Sequence, residues 1–189
     1  MAEDPLADLV DLAVRLGAHC GALGLRVTTV ESCTGGLVGH LITEVPGSSA
    51  YFVGGFVTYS DELKRETVGV PEEVLAAHGA VSAQVALAMA TGGRERTAAD
   101  LAVSVTGIAG PDGGSPSKPV GLTYVAVADG SGAMVRRYVW TGERTENKRR
   151  SAAAALELLL ERIDAHAAAP EEEAASTSES EPIATADAT

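Results

Sequence analysis

The chain has 189 residues, which suits one globular domain, and 46% of them are hydrophobic, enough for a sizeable core. Its formal net charge of −12 at pH 7 opposes general affinity for a nucleic-acid backbone, which calls for a basic face. Its apolar runs are far shorter than the roughly 20 residues of a membrane span, so we predict neither nucleic acid nor a membrane as partner.

The termini and the cysteines narrow the class of protein further. The segment AEDP at residues 2–5 does not resemble a signal peptide, which predicts a cytoplasmic protein. Cys20 and Cys33 are too few for a disulfide framework and form no Cys-x-x-Cys pair, so we predict no metal site. The last residues carry six acids and no Lys or Arg. We therefore predict a domain over residues 1–168 and a disordered, solubilising tail over 169–189, with an interaction role for the tail as the alternative.

The first half of the chain alternates between helix and strand patterns. Apolar residues at a spacing of three or four predict amphipathic helices, and short β-branched runs predict strands. A glycine pair in the second strand indicates a bulge or a close backbone approach. The predicted elements are a helix over 5–23, a strand over 26–30, a helix from Cys33 or Thr34 to Val45, and a strand over 50–59 containing Gly54 and Gly55.

The second half predicts short helices, three strands and a long final helix. The last two strands are separated by Asp129-Gly130-Ser131-Gly132, which is typical of a hairpin turn. The predicted elements are helices over 61–67, from Pro71 and over 82–91, strands over 101–106, 122–128 and 134–140, and a helix over 143–165. This order predicts a three-layer α/β/α sandwich with a mixed sheet. In such sheets, ligands bind beyond the carboxyl ends of the strands.

The junction between the first strand and the next helix is rich in small polar residues. Residues 28–40 read TTVESCTGGLVGH, so Ser32, Cys33 and Thr34 precede two glycines. A helix that begins there exposes unpaired N–H groups, which attract anions and stabilise a developing oxyanion. The alternative is a structural cap formed by Ser32, with glycines that ease packing. Cys33 could be a nucleophile, although a buried thiol is the commoner role.

A second segment, FVTYSDELK at residues 56–64, carries a candidate base. Tyr59 ends a predicted strand, and Lys64 lies in the following helix. A lysine partly removed from water there could act as general base. The alternative is an ion pair of Lys64 with Asp61 or Glu62 on a solvated surface.

A third segment, VTGIAGPDGGSPSKPVGLTY at residues 105–124, is a long glycine-rich loop between strands. Its length exceeds that of usual connections, which predicts either a functional loop or a flexible crossing. Thr106 and Gly107 lie at the strand end, where free backbone N–H groups could face a ligand, and Lys118 could add a positive charge.

Together these segments resemble the CinA C-terminal domain family, whose studied members are nicotinamide-nucleotide amidohydrolases. The matching text is ESCTGG, VPGSSAYFVGGFVTYSDELK and VTGIAGPDGGSPSKPVG, while TGERTENKRR is similar to the closing G-D-R segment of the family. The larger N-terminal domain of full-length members has no counterpart here, which favours the stand-alone form. The resemblance implies hydrolysis of the carboxamide of nicotinamide mononucleotide to nicotinate mononucleotide and ammonia, in pyridine nucleotide salvage.

The resemblance also implies roles for individual residues. Ser32 would attack the amide carbon, and Lys64 would take its proton directly or through Tyr59. Backbone N–H groups near Thr34 and Gly35 would stabilise the oxyanion. The nucleotide would contact the turn formed by Thr106, Gly107, Ala109 and Gly110, and Arg144 would pair with its phosphate.

The reaction that the resemblance implies needs no cofactor and no metal, and its partner is a small nucleotide substrate. The main alternative is a non-catalytic nucleotide-binding module with a regulatory role, and a third is an acidic scaffold that acts through its tail. The joint presence of Ser32, Tyr59 and Lys64 favours the enzyme, because a binding module needs neither nucleophile nor base. Apolar faces left over from a small sandwich also make a homo-oligomer plausible.

Overall fold

A computed structural model describes residues 6–168 of the chain, and the predicted acidic tail lies outside this range. The helices are α1 (Ala7–Leu23), α2 (Leu37–Thr43), α3 (Asp61–Val68), α4 (Glu72–His78), α5 (Ala83–Thr97) and α6 (Arg144–Ala168). The strands are β1 (Val27–Glu31), β2 (Phe52–Val57), β3 (Leu101–Gly107), β4 (Leu122–Asp129) and β5 (Gly132–Val139). A short 3-10 helix, Ser48–Ala50, precedes β2.

The strands form one mixed sheet in the order β2-β1-β3-β4-β5. β1 runs parallel to both of its neighbours, whereas β3, β4 and β5 pair in antiparallel fashion. The register between β1 and β2 shifts after Val27, so that Thr28 pairs with Gly54. This irregularity confirms the bulge that the glycine pair predicts.

Helices cover both faces of the sheet, and the predicted α/β/α sandwich is confirmed. One face packs against α1, α2 and α6 through a large apolar core that includes Leu16, Leu41 and Leu159. The other face packs against α5 through a smaller apolar cluster, which includes Val30 and Met89 and extends to α3 and α4. Among the described residues, no helix is both long and apolar enough to cross a membrane.

Several helix boundaries differ from those that the sequence predicts, and the start of α2 and the end of α5 differ most. α2 begins at Leu37 rather than at Cys33 or Thr34, because Gly35 and Gly36 have φ angles of +66° and +96°, which are incompatible with a right-handed helix. α5 continues to Thr97, beyond the predicted end near residue 91, and its two glycines lie in close packing, Gly93 against Val30 of β1 and Gly92 against Val68 of α3. The alternative interpretation of Ser32 as the cap of this helix is wrong, since the N-cap of α2 is Gly36.

Candidate active site

Ser32 directly follows the last residue of β1, at the carboxyl-end edge of the sheet. Its N–H donates to the carbonyl of Val105 on β3 at 2.9 Å, and its own carbonyl accepts from the N–H of Gly35 at 3.1 Å. These two bonds fix its backbone between the strand and a tight turn. The side chain lines an open cleft of about 270 Å³, and its hydroxyl makes no hydrogen bond with any described residue. Ser32 is thus held rigidly with its hydroxyl available to a ligand.

Glu31, the last residue of β1, occupies the amino end of α2. Its buried carboxylate accepts the N–H groups of Gly36, Val38 and Gly39 at 3.0, 3.1 and 2.9 Å. A carboxylate in this position satisfies the unpaired donors and the positive end of the helix. The start of α2 therefore binds an anion that the chain itself provides.

This arrangement occupies two of the N–H groups in the region near Thr34 and Gly35 where the resemblance implies oxyanion donors. The N–H of Gly35 is already bonded to Ser32, and that of Gly36 to Glu31. Neither Thr34 nor Gly35 lines the cleft. Thr34 is buried, and its hydroxyl finds no partner in the part of the chain that the structure describes. Sequence reasoning did not assign Glu31, although an acid just before a glycine-rich helix start is the signal for such a cap.

Lys64 enters the same cleft from α3. The hydroxyl of Ser60 caps this helix by accepting a hydrogen bond from the N–H of Leu63. The ammonium group of Lys64 lies 3.2 Å from the carbonyl oxygen of Tyr59, 3.5 Å from that of Ser60 and 3.5 Å from a carboxylate oxygen of Asp61. The ion pair with Asp61 is the predicted alternative, but Lys64 is only 1% exposed, so it is not a solvated surface pair.

Tyr59 also lines the cleft, but its side chain is 60% exposed. Its contact with Lys64 runs through its main-chain carbonyl and not through its hydroxyl. Tyr59 and Lys64 are therefore neighbours by backbone geometry, while the phenol stands at the mouth of the cleft.

The long loop after β3 forms the opposite wall. Thr106, Gly107, Ala109 and Gly110 all line the cleft, as does Arg144 at the start of α6. The hydroxyl of Thr106 donates to the carbonyl of Ala80, so it is not free for a ligand. Residues that the sequence did not single out complete the lining: Ala80, Val81, Ile108, Asp112 and Gly113.

The loop is ordered by contacts at its far end. The ammonium group of Lys118 donates to the carbonyl of His78 at the end of α4, at 2.6 Å. The N–H of Ser115 and the N–H of Lys118 each donate to the carbonyl of the other residue. Lys118 is not among the lining residues, so the positive charge expected in the cleft lies outside it.

Cys33 is a packing residue at the base of the cleft. A Cβ atom built on Gly107 would lie 3.1 Å from its sulfur, so the thiol fits only because β3 carries a glycine there. Burial raises the pKa of the Cys33 thiol to about 12, and the Glu31 carboxylate adds to this effect, while Lys148 and Arg144 oppose it. A thiol with such a pKa stays protonated near neutral pH, which opposes a nucleophilic role.

Two side chains from α6 hold the turn at Ala109 and Gly110. The guanidinium of Arg144 donates to the carbonyl of Gly110 at 2.8 Å, and the buried amide of Asn147 donates to that of Ala109 at 3.0 Å. The first bond occupies one of the five N–H donors of Arg144. Sequence reasoning missed Asn147, since its partner lies 38 residues away along the chain.

No metal centre is visible in residues 6–168, where no group of three or more His, Cys, Asp and Glu side chains could hold an ion. The chemistry available in the cleft is that of a free serine hydroxyl, a buried ammonium group, a phenol and a guanidinium. This set suits nucleophilic attack on a small anionic substrate.

The fold and the cleft define an α/β/α protein whose cleft, at the carboxyl ends of the parallel strands, is lined by a serine and a buried lysine. The family model for the CinA C-terminal domain matches residues 10–163. The chain belongs to this family.

Similar proteins fall into two length classes. The chain is 48% identical over 158 residues to the nicotinamide-nucleotide amidohydrolase PncC of Escherichia coli strain K12, covering 83% of this chain and 96% of that protein. It is 49% identical over 158 residues to a CinA-like protein of Chloroherpeton thalassium, covering 79% of this chain. It spans only 38% of the length of that relative, and 34% of a CinA-like protein of Geobacter sulfurreducens.

Solved structures share the same fold. The competence/damage inducible protein CihA from Agrobacterium tumefaciens superposes with a TM-score of 0.82 at 44% identity, covering 87% of this chain and 99% of that one. A CinA superfamily protein from Klebsiella pneumoniae gives a TM-score of 0.80 at 33% identity, covering 82% and 98% of the two chains.

Proposed function

We propose that the chain is an amidohydrolase that converts nicotinamide mononucleotide to nicotinate mononucleotide and ammonia. The observation that carries this proposal is that Ser32, Tyr59 and Lys64 line one cleft, with the serine hydroxyl free and the lysine buried. A relative that is 48% identical over 96% of its length bears the name of such an amidohydrolase. A nucleophile and a base in one cleft are what hydrolysis of an amide needs.

The first half of the reaction forms an acyl-enzyme. The Oγ of Ser32 attacks the carboxamide carbon, and Lys64 in its neutral form accepts the hydroxyl proton, directly or through Tyr59. The C–N bond of the tetrahedral intermediate then breaks, and the proton passes from Lys64 to the leaving nitrogen, which departs as ammonia. General acid–base assistance of this kind typically contributes about 10²- to 10⁴-fold to a rate.

The second half returns the enzyme to its starting state. Water replaces ammonia in the cleft and attacks the ester carbon, with its proton taken by Lys64. The bond to Oγ of Ser32 breaks, and the serine oxygen recovers a proton. Nicotinate mononucleotide leaves, so one water is consumed and one ammonia is released in each cycle.

The nucleotide would lie along the wall formed by the loop after β3. Arg144 keeps four guanidinium N–H groups beyond its bond to Gly110, and these can pair with the phosphate.

The proposal is tested by mixing the folded chain with nicotinamide mononucleotide and following both ammonia and the nucleotide product by mass. We expect ammonia and nicotinate mononucleotide in equal amounts, with no added metal. Absence of both products from a folded protein would overturn the proposal. If calorimetry then detected tight binding of the unreacted nucleotide, the non-catalytic binding module would replace it.

A further inference from the structure

Asn147 makes three hydrogen bonds that fix its amide group beneath the cleft wall. Its Nδ2 donates to the carbonyls of Ala109 and Gly142 at 3.0 and 2.8 Å, and its Oδ1 accepts from the N–H of Gly142 at 3.0 Å. The residue is 1% exposed. Because both amide protons and the amide oxygen are in use, the side chain has a single orientation, and the carbonyl of Ala109 is held toward α6.

The direction of that carbonyl determines the direction of the next N–H. The Ala109–Gly110 peptide bond is trans, so its N–H points to the side opposite its C=O. The N–H of Gly110 therefore points away from Asn147. Gly110 lines the cleft and is itself buried.

The N–H of Gly110 donates to no acceptor among residues 6–168, whereas the carbonyl of the same residue accepts from Arg144. A buried backbone donor without a partner costs free energy, and such groups are rare in folded proteins. A donor that is buried, unpaired and directed away from the packed side of the turn is suited to a ligand oxygen. A negatively charged oxygen gains most, since hydrogen bonds to charged groups are stronger than neutral ones.

We propose that Asn147 is a positioning residue that directs the Gly110 N–H into the cleft, where it donates to an anionic oxygen of the substrate. This inference rests on the proposed function. The oxygen is either that of the nucleotide phosphate or that of the tetrahedral intermediate, which share the same chemistry. A phosphate contact acts in ground state and transition state alike, whereas an oxyanion contact acts only in the transition state.

Kinetics of two Asn147 variants separate these sources. Asn147→Asp keeps the shape and the acceptor but loses both donors, and Asn147→Leu removes all three bonds. We expect kcat/KM to fall about 10- to 100-fold in each, the range expected for one hydrogen bond to a charged group. A rise in KM with kcat unchanged assigns the phosphate, and a fall in kcat assigns the oxyanion. The control is Thr145→Ala, an exposed residue in the same helical turn, which we expect to match the wild type.

A direct readout uses a property of the sequence. Ala109–Gly110 is the only Ala-Gly pair in the chain. Protein labelled with ¹³C at alanine carbonyls and ¹⁵N at glycine therefore gives a single carbonyl-correlated amide signal, that of Gly110. In a Ser32→Ala background, which prevents turnover, we expect nicotinamide mononucleotide to shift this proton downfield if the phosphate is the acceptor. If the oxyanion is the acceptor, the shift is expected only with a tetrahedral amide analogue.

The outcomes distinguish this inference from the proposed function. If the wild type releases ammonia, but Asn147→Asp keeps wild-type kcat/KM and the Gly110 signal moves with neither ligand, only the inference is overturned. If the folded wild type neither binds nor hydrolyses the nucleotide, the proposed function fails and the inference falls with it. The labelled signal is measured without an Asn147 substitution, so a variant that fails to fold does not prevent the test.

Discussion

The ammonium group of Lys64 donates to the main-chain carbonyl of Tyr59 at 3.2 Å inside a region where the lysine is only 1% exposed. The contact places the buried amine beside the segment after β2 that carries the phenol. It also means that the position of Lys64 is fixed by backbone atoms, which do not depend on the Tyr59 side chain.

Replacement of Lys64 should abolish turnover without unfolding the protein. In Lys64→Met the aliphatic stem is kept and the base is lost, so we expect ammonia release to fall by about 10²-fold or more. Lys64→Arg should not restore activity, because a guanidinium stays protonated and has a different shape. The measurement is steady-state kinetics beside a thermal melt. An active Lys64→Met variant would exclude Lys64 as the base.

The Tyr59 phenol should matter less than the Lys64 amine. Since the carbonyl of Tyr59 rather than its hydroxyl contacts Lys64, Tyr59→Phe should leave the position of the lysine intact. We expect kcat to fall by less in Tyr59→Phe than in Lys64→Met, as measured in the same assay. If Tyr59→Phe were the more severe variant, the phenol would be the immediate proton acceptor.

The Glu31 carboxylate should contribute strongly to stability. Glu31→Gln keeps the shape but loses the negative charge and one of the two acceptor oxygens that bind the start of α2. We expect the free energy of unfolding to fall by about 2 kcal/mol, as for a hydrogen bond to a charged group. Urea denaturation measures it, with the exposed Glu66→Gln as the matched control. Equal midpoints for the two variants would contradict the capping role.

Glycine at position 107 should be required for the packing of the cleft base. A Cβ there would lie 2.7 Å from the carbonyl oxygen of Leu122 and 3.1 Å from the sulfur of Cys33. We expect Gly107→Ala to lower the melting temperature, since overpacking typically costs about 1–3 kcal/mol. Gly21→Ala is the control, because that position in α1 has open space around it. There the substitution should be neutral or stabilising.

The buried Cys33 thiol should make stability fall at alkaline pH. Burial raises its pKa from 9.0 to about 12, so between these values the folded protein keeps a proton that the unfolded chain loses. The contribution of this thiol to the free energy of unfolding is therefore fully present below pH 9. Between pH 9 and the raised pKa it decreases by about 1.4 kcal/mol per pH unit. Urea titrations from pH 8 to 10.5 measure it. Cys33→Ala should show a shallower decline, and identical slopes would contradict the pKa shift.

The elements of this fold follow largely from local patterns, whereas several features of the site do not. The start of α3 after Ser60, the start of α4 at Pro71 and the bulge at Gly54 were predictable, because each depends on neighbouring residues in the chain. The start of α2 at Leu37 was not predicted. It depends on the left-handed backbone of Gly35 and Gly36 and on the Glu31 carboxylate that binds the helix start, and both are visible only in the folded chain.

The role of Asn147 could not be read from the sequence for a related reason. Its two partners lie in separate loops, and one of them is 38 residues away. The segments that carry Ser32 and Lys64 stood out in the sequence, and the resemblance supplied their roles and the position of Arg144. The burial of Lys64 and the bond of Arg144 to a loop carbonyl needed the folded chain.

The proposed function depends above all on Ser32 as nucleophile, a claim that is tested by ammonia release from the Ser32→Ala variant. The assay compares this variant with the wild type and with Ser49→Ala, a matched change at an exposed position outside the cleft. We expect Ser49→Ala to match the wild type and Ser32→Ala to release ammonia from nicotinamide mononucleotide at least about 10³-fold more slowly. Wild-type activity in a folded Ser32→Ala variant would contradict the claim.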